Sequence, residues 1–165
     1  MADPESTDFA DNVVAEPEVH IRAVKTTDLE ELAQLDGQVF GDLEYPRFVL
    51  HQLFDVHLDC WQVAERPNGL LVGYSFAVPT TDGAVGWLLG LGVRKEYRRQ
   101  GFGRRLTLVS MDTLRSFGVG QLRLTVDPGN FGAFDLYRKL GFVAQELVRD
   151  RLGPGEHRLV MSRNL

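Results

Sequence analysis

The amino-acid sequence predicts a mixed α/β domain, and three observations lead to this fold class. Seven short runs are apolar or alternate between apolar and polar residues, as strands do, whereas four longer stretches repeat apolar residues at helical spacing. Turns rich in glycine, proline, asparagine and aspartate separate these stretches. The 165 residues are 44% hydrophobic and 25% charged, which is ordinary for a globular chain and sufficient for one core. We therefore expect a single domain over residues 18–165.

Residues 1–17 are predicted to form a mobile acidic tail, because they are polar and show no hydrophobic periodicity. The chain has a net charge of −5, and the acidic residues that precede the first arginine, Arg22, account for that whole deficit: Asp3, Glu5, Asp8, Asp11, Glu16 and Glu18. The rest of the chain is close to neutral, so its overall charge gives no argument for a nucleic-acid partner.

The first half of the domain predicts one strand, two helices and then three strands. Residues 19–24 alternate as a strand does, and Thr27 followed by Glu30 is typical of a capped helix start. Residues 40–46 interrupt the helical pattern, and a second helix carries Phe48, Val49, Leu53 and Phe54. The strands that follow cover residues 61–65, 70–78 and 87–93.

The second half predicts two helices and three strands. The first of these helices follows a basic turn and ends at Gly118, with an apolar face made of Leu106, Val109, Thr113 and Phe117. The other covers residues 130–140 and is closed by Gly141. The strands cover residues 121–126, 142–149 and 157–161.

The basic turn between the strand ending at Val93 and the next helix is the main functional signal. It contains two glycines and six cationic side chains: Arg94, Lys95, Arg98, Arg99, Arg104 and Arg105. Free N–H groups at a helix N-terminus and the helix dipole favour an anion there. Gly101 and Gly103 allow the backbone to approach a ligand closely or to adopt a positive φ. The turn therefore predicts a pyrophosphate cradle.

Two better-known phosphate-binding loops do not fit this turn. A Walker A loop requires Lys-Ser/Thr after its second glycine, and the sequence has no such stretch. The dinucleotide fingerprint requires a third glycine three residues after the second. Leu106 stands three residues after Gly103, and Lys95 stands three residues after Gly92, so neither glycine pair fits. The remaining pattern is Arg98-x-x-Gly101-x-Gly103.

This pattern resembles the acetyl-CoA motif of the GNAT family of N-acetyltransferases, Arg/Gln-x-x-Gly-x-Gly/Ala. The family's second signature has an Asn, an Ala three residues on, a Tyr four further and then Gly-Phe, and it matches Asn130, Ala133, Tyr137, Gly141 and Phe142. The resemblance implies a mixed, mostly antiparallel twisted sheet of about seven strands flanked by about four helices. It also implies a splayed parallel strand pair at the cofactor cleft, and it makes residues 18–165 one N-acetyltransferase domain.

The resemblance further implies an enzyme that moves the acetyl group of acetyl-CoA to a primary amine by direct attack in a ternary complex. The cofactor-binding residues would be Leu91, Val93, Arg98, Arg99, Gln100, Gly101, Phe102, Gly103, Arg104, Asn130, Ala133 and Tyr137. By family position, Tyr137 donates a proton to the leaving thiolate and the Val93 N–H stabilises the developing oxyanion. A tyrosine pKa of about 10 exceeds a thiol pKa of about 8.5, so the phenol shares its proton as charge develops.

The resemblance also implies the residues of the acceptor side, which are Phe40, Asp42, Glu44, Tyr45 and Thr125, together with the hairpin turn at 149–157. Asp42 and Glu44 would there hold a cationic acceptor. In relatives that acetylate a ribosomal-protein N-terminus, a glutamate five residues before the Asn acts as base; Thr125 stands there in this chain. Without that base, a low-pKa acceptor is favoured. Neutralising a lysine at pH 7 costs about 4–5 kcal/mol, and an α-amine costs about 1. We therefore expect a peptide α-amine or a small-molecule amine.

Two other functions stay open: a non-catalytic acyl-CoA sensor of the same fold, and a nucleic-acid-binding module that uses the basic turn. We expect no nucleic-acid or membrane partner, and a monomer or a homodimer. The four histidines and Cys60 form no metal-binding signature, and a single cysteine excludes an internal disulfide framework. Since no secretory or membrane-spanning pattern is visible either, we expect a cytoplasmic protein.

Overall fold

The computed structural model describes residues 18–165, which build a seven-stranded sheet with helices on both faces. The predicted acidic tail, residues 1–17, lies outside the described residues. The strands are β1 (His20–Ala23), β2 (Trp61–Glu65), β3 (Leu71–Pro79), β4 (Val85–Val93), β5 (Gln121–Val126), β6 (Val143–Val148) and β7 (Arg158–Asn164). The helices are α1 (Leu29–Phe40), α2 (Arg47–Val56), α3 (Phe102–Ser116) and α4 (Phe131–Lys139). The predicted order of elements is confirmed.

The sheet has the strand order β1-β2-β3-β4-β5-β7-β6. All neighbouring strands are antiparallel except β4 and β5, which run parallel. The expected mostly antiparallel sheet with one parallel pair is therefore confirmed. Helix α3 provides the long crossover that a parallel pair requires.

Side-chain alternation in the strands gives the sheet two apolar faces, each covered by helices. Val63 of β2 packs into the cluster that contains α1 and α2, whereas the next residue, Ala64, packs against Phe102 and Leu106 of α3. Strand β5 directs Leu122, Leu124 and Val126 toward α3 and α4. The sheet is thus a central layer, with α1 and α2 on one face and α3 and α4 on the other.

The buried face of α3 differs from the prediction. Its buried residues are Phe102, Leu106, Thr107, Ser110, Met111 and Leu114. Val109 and Thr113 are only partly buried, and Phe117 is 45% exposed. The prediction considered the spacing of apolar residues and therefore missed two small polar residues on the buried face. They can be buried because the Ser110 hydroxyl donates to Ser75 Oγ (2.9 Å) and the Thr107 hydroxyl donates to the Gly103 carbonyl (2.8 Å).

The predicted cap of α1 is also wrong. Thr27 lies inside a short 3-10 turn, Thr26–Asp28, that precedes the helix. Asp28 is the N-cap residue of α1, but its carboxylate accepts the Lys25 N–H (2.7 Å) ahead of the 3-10 turn and makes no cap bond to the helix. Arg22 of β1 pairs with the same carboxylate (2.6 Å), so Asp28 ties the turn to the first strand through charge-assisted bonds.

No helix within residues 18–165 combines the length and apolarity that crossing a membrane requires.

Candidate functional site

The parallel strands β4 and β5 separate halfway along the sheet. Their pairing runs from Val85 opposite Gln121 to Leu88 opposite Leu124 and ends there. The register between β3 and β4 also shifts at this point, because Leu89 is an extra residue in β4. Such a bulge bends a strand away from its neighbour. The space that opens is a cleft of about 660 Å³ between the far halves of β4 and β5.

Beyond Leu88, strand β4 presents backbone groups to the cleft. The Arg94 N–H donates to the Val72 carbonyl on β3 (2.9 Å). Because backbone groups alternate between the two edges of a strand, the N–H groups of Leu91 and Val93 point away from β3. Both residues line the cleft, and the Val93 carbonyl already accepts a bond from Arg98 Nε (3.1 Å). The cleft edge of β4 therefore offers donors to an extended ligand.

The basic turn forms one end of the cleft. Gly101 is left-handed, with φ of 82°, and Arg99 is left-handed as well, with φ of 61°. The first helical bond of α3 joins the Arg105 N–H to the Gly101 carbonyl (3.0 Å), and Gly101, the N-cap residue, has no side chain with which to cap the helix. The N–H groups of residues 102–104 therefore precede the hydrogen-bonded ladder, as in anion-binding helix termini. Arg98, Arg99 and Arg104 line the cleft beside them.

Helix α4 forms the wall of the cleft on the α3 face. Asn130 caps this helix by accepting the Ala133 N–H on its side-chain oxygen (3.1 Å), which explains the spacing of these two residues. Gly103 faces α4 closely, since a Cβ there would lie 3.3 Å from Leu136. Tyr137, one helical turn after Ala133, lines the cleft with 7% exposure.

Burial makes Tyr137 a weaker acid than an exposed tyrosine. Its ring packs edge-on against Phe142 with centroids 5.6 Å apart. Burial alone raises its pKa well above the ordinary value of about 10. The phenol therefore stays protonated at any pH where the protein is expected to work, and it acts as a hydrogen-bond donor.

The cleft passes through the sheet and opens on both faces. The basic turn, Asn130 and Tyr137 lie on the α3 face, whereas Val39, Phe40 and Leu43 come from the α1 face. Thr125 alternates with Leu124 and Val126, so its side chain belongs to the α1 face. Two ligands entering from opposite faces would meet where β4 and β5 separate.

Most of the predicted site residues come together around this cleft. Those that line it are Phe40, Leu91, Val93, Arg98, Arg99, Gly101, Phe102, Gly103, Arg104, Thr125, Asn130, Ala133 and Tyr137. Gln100 does not, because its side chain turns back and donates to the Glu96 carbonyl (3.1 Å).

Three predicted acceptor residues also lie outside the cleft lining: Asp42, Glu44 and Tyr45. The short 3-10 turn Gly41–Leu43 leaves Asp42 and Glu44 exposed while Leu43 faces the cleft. Tyr45 is held beneath it, where its N–H donates to Asp36 Oδ2 (2.6 Å) and its hydroxyl donates to the Leu89 carbonyl (3.4 Å). The structure therefore does not bring the expected acids to the acceptor side.

A buried carboxylate beneath β4 escaped the sequence analysis. Asp36 is 1% exposed and accepts hydrogen bonds from the Tyr74 hydroxyl and the Tyr45 N–H. Burial raises the pKa of the Asp36 carboxyl, and the two hydrogen bonds lower it only in part. The ring of Tyr74 lies against Gly90 and Gly92, where a Cβ would come within 2.9 and 2.8 Å of it. This pair thus supports the β4 segment that lines the cleft.

We expect Asp36→Ala to lower the free energy of unfolding by about 2–4 kcal/mol, because it leaves a buried hydroxyl and a half-buried N–H without an acceptor. Chemical denaturation measures the change. Asp42→Ala removes an exposed carboxylate from the next turn and should stay within about 0.5 kcal/mol of the parent. Equal effects of the two substitutions would contradict this account of the support beneath β4.

The sequence analysis also missed a fourth arginine that lines the cleft. Arg158, the first residue of β7, is 7% exposed and lines the cleft. In the sequence it stands between His157 and an apolar run, and nothing there distinguishes it from a surface arginine.

The burial of Asp36, by contrast, could have been predicted from the sequence, because Asp36 stands four residues after Leu32 and seven after Leu29 on the apolar stripe of α1.

Comparison of the sequence with known proteins identifies one family. Residues 26–142 match the sequence model of the Acetyltransferase (GNAT) family. The chain is 41% identical to a mycothiol acetyltransferase of Thermobispora bispora over 85 residues, which cover 48% of this chain and 28% of that protein. It is 26% identical to an N-alpha-acetyltransferase of Sulfurisphaera tokodaii over 157 residues, 88% of this chain and 92% of the relative. The chain therefore spans less than a third of the first relative and most of the second.

Solved structures show the same fold. Ard1 from Thermoplasma volcanium superposes with a TM-score of 0.81 at 21% identity, covering 89% of this chain and 97% of that one. YncA of Salmonella typhimurium, a putative acetyltransferase solved with its cofactor acetyl-CoA, gives a TM-score of 0.75 at 17% identity, with 89% and 94% coverage. At these identities the likeness concerns the fold.

Proposed function

Because the chain belongs to the GNAT acetyltransferase family, we propose that it is an acetyl-CoA-dependent N-acetyltransferase that acts on a primary amine. The observation that carries this proposal is the cleft through the sheet, with an uncapped, arginine-flanked helix N-terminus on one face and an open, mostly apolar wall on the other. Such a cleft suits a long anionic donor on the α3 face and an acceptor on the α1 face.

The residues present fit acetyl-CoA. The N–H groups of residues 102–104, with Arg99 and Arg104, would hold its diphosphate, and the cleft edge of β4 would pair with its pantetheine arm through Leu91 and Val93. When bound, the cofactor supplies an activated acetyl thioester. The Val93 N–H is available to stabilise negative charge on the thioester oxygen. The Tyr137 hydroxyl would donate a hydrogen bond to the departing sulfur.

Direct transfer from donor to amine is supported by the residues around the cleft. None of the described residues that line it is a cysteine or a serine. The single cysteine, Cys60, is buried in the core beneath α1 and α2. An acetyl-enzyme intermediate on a thiol is therefore not favoured, and both substrates would be bound together.

The cleft offers few groups that could take a proton from the acceptor amine. Asp127 is the only carboxylate among the described residues that line the cleft, and its Oδ1 already accepts the Gly129 N–H (2.8 Å). Thr125 occupies the position where some relatives place a glutamate. We therefore infer an acceptor of low pKa, either a peptide α-amine or a small-molecule amine, that reaches the cleft partly neutral.

We expect a peptide with a free N-terminus to be acetylated roughly 300-fold faster at pH 7 than an N-terminally blocked peptide whose only amine is lysine. The factor is the ratio of neutral amine for pKa values of about 7.7–8.0 and 10.4. Thiol release from acetyl-CoA measures both rates. As pH rises from 6 to 9, the α-amine rate should level off near pH 8 while the lysine rate keeps rising. A lysine preference at neutral pH would contradict the inferred acceptor class.

The second candidate is an acyl-CoA sensor, which keeps the α3-side features and needs no acceptor. Binding of coenzyme A without turnover against any amine in a broad panel would favour it. A chain that neither binds coenzyme A nor transfers acetyl would overturn both candidates.

A further inference from the structure

The Arg158 guanidinium lies on the acceptor side of the cleft. Val126 of β5 pairs with Leu159 of β7, and both contribute to the apolar cluster beneath α3 and α4. Residues paired across two strands share a face, and successive residues alternate. Arg158 therefore points to the opposite, α1 face, where Thr125 also lies.

The hydrogen-bonding capacity of Arg158 is only partly used. Its Nη1 donates to the His157 carbonyl (2.7 Å) and its Nη2 donates to Glu156 Oε2 (3.0 Å). A guanidinium carries five N–H donors, and the others make no hydrogen bond to any residue in the described range. The side chain of Glu156 is 43% exposed, against 9% for Arg158, so the carboxylate of this pair is nearer the solvent than the guanidinium is. Because Arg158 lines the cleft, its remaining N–H donors are available to a ligand there.

Arg158 is the one cation that the described residues contribute to the acceptor side, and Asp127 is the one carboxylate among those that line the cleft. The α1 helix and the turn after it contribute apolar side chains, Val39, Phe40 and Leu43, and the β4 bulge contributes Leu89. Asp42 and Glu44 lie outside the lining, so Glu156 pairs with Arg158 while the acids predicted to attract a cationic acceptor do not. A largely buried cation in an apolar wall favours a carboxylate partner, which it binds through two parallel N–H bonds.

We propose that Arg158 binds a carboxylate of the acceptor, so that the substrate is an amine that also carries an acidic group. This inference rests on the proposed acetyltransferase function and specifies its acceptor. The carboxylate has two possible sources, the α-carboxylate of a free amino acid or an acidic side chain close to a peptide N-terminus. Both present the same group to the guanidinium, and the experiment separates them.

The test compares acceptors that differ only in this charge. One pair is a peptide beginning Ala-Glu and its Ala-Gln counterpart; the other is free alanine and alaninamide. The ratio of kcat/KM within each pair is measured for the parent chain, Arg158→Gln and Arg158→Lys. The control is Arg123→Gln, an exposed arginine on the same sheet face that lies outside the cleft lining. Comparing ratios between variants cancels the different amine pKa values within a pair.

The ratio is kcat/KM for the charged acceptor divided by kcat/KM for its uncharged counterpart. For the pair whose carboxylate Arg158 binds, we expect this ratio to be about 10- to 100-fold lower in Arg158→Gln than in the parent, mainly because KM for the charged acceptor rises. Arg158→Lys should restore part of the ratio, since lysine keeps the positive charge but lacks the paired N–H donors of the guanidinium. Arg123→Gln should leave the ratio unchanged. A loss confined to the peptide pair identifies an acidic side chain, and a loss confined to the alanine pair identifies an α-carboxylate. A purely structural role would slow all acceptors equally and leave both ratios intact, which would overturn the inference.

Failure of the proposed function gives a different result. If no amine is acetylated, the coenzyme A-saturated chain is titrated calorimetrically with the Ala-Glu peptide and with alanine. Binding that Arg158→Gln weakens at least tenfold would keep the inference and remove the enzyme activity. Binding that is absent, or equal in the parent and Arg158→Gln, would overturn the inference. Thermal melting and coenzyme A affinity show whether each variant is folded.

Discussion

Replacement of Tyr137 by phenylalanine is expected to lower kcat about 100-fold while leaving the affinity for acetyl-CoA within about twofold. The substitution removes one hydroxyl from a ring that stays packed against Phe142, so the fold and the cleft keep their shape. Loss of a single donor to developing negative charge typically costs this much in rate. Steady-state kinetics and equilibrium binding of coenzyme A measure the two quantities.

The matched control is Tyr97→Phe, because Tyr97 lines the same cleft while its hydroxyl accepts a bond from Arg66 (3.1 Å). That variant should retain most of its activity. The raised pKa of Tyr137 makes a further difference: the neutral phenol persists through alkaline pH, so the parent enzyme should show no loss of rate below pH 10 from its ionisation. Equal losses in the two phenylalanine variants, or a parent rate that falls between pH 8 and 10, would contradict the role assigned to Tyr137.

Replacement of Gly101 by alanine is expected to weaken binding of coenzyme A by about 10- to 100-fold. Gly101 has φ of 82° at the N-cap of α3, a conformation that costs an alanine about 1–2 kcal/mol. Relief of that strain would rotate the peptide groups that open the helix, and at least one charge-assisted bond to the diphosphate would be lost.

Helix α3 supplies its own control at the other end. Gly118 has φ of 81°, and a Cβ there would meet no atom of residues 18–165 within 4 Å, as at Gly101. Gly118→Ala should therefore lower the free energy of unfolding about as much as Gly101→Ala does, while the affinity for coenzyme A stays at the parent value. If both variants bind coenzyme A as the parent does, the helix N-terminus is not where the diphosphate lies.

Local patterns were sufficient for the elements of this fold because most of them carry their own signals. The glycine and proline turns separate strands that alternate, and the crossover through α3 follows from a strand, a turn and an amphipathic helix in succession. The mostly antiparallel sheet with one parallel pair came from the family resemblance, and the strand order itself was not predicted. The pairing of β7 between β5 and β6 is non-local, and no short stretch of sequence specifies it.

The α3 side of the cleft was foreseeable because its parts are consecutive in sequence. The basic turn, Gly101 and Gly103 stand together, and Asn130, Ala133 and Tyr137 lie along one helix. The acceptor side combines residues from the end of α1, the β4 bulge and the start of β7, which are far apart in the chain. The family resemblance pointed to the loop at residues 40–45, and hence to Asp42 and Glu44, whereas the fold brings Arg158 there through strand pairing.

The most direct measurement is a crystal structure of this chain with coenzyme A. We predict the diphosphate within hydrogen-bonding distance of the N–H groups of residues 102–104, and the pantetheine arm along Leu91 and Val93 in the gap between β4 and β5. The sulfur would then lie beside Tyr137, with Arg158 across the sheet. A diphosphate bound elsewhere, or an arm that leaves this gap empty, would contradict the account.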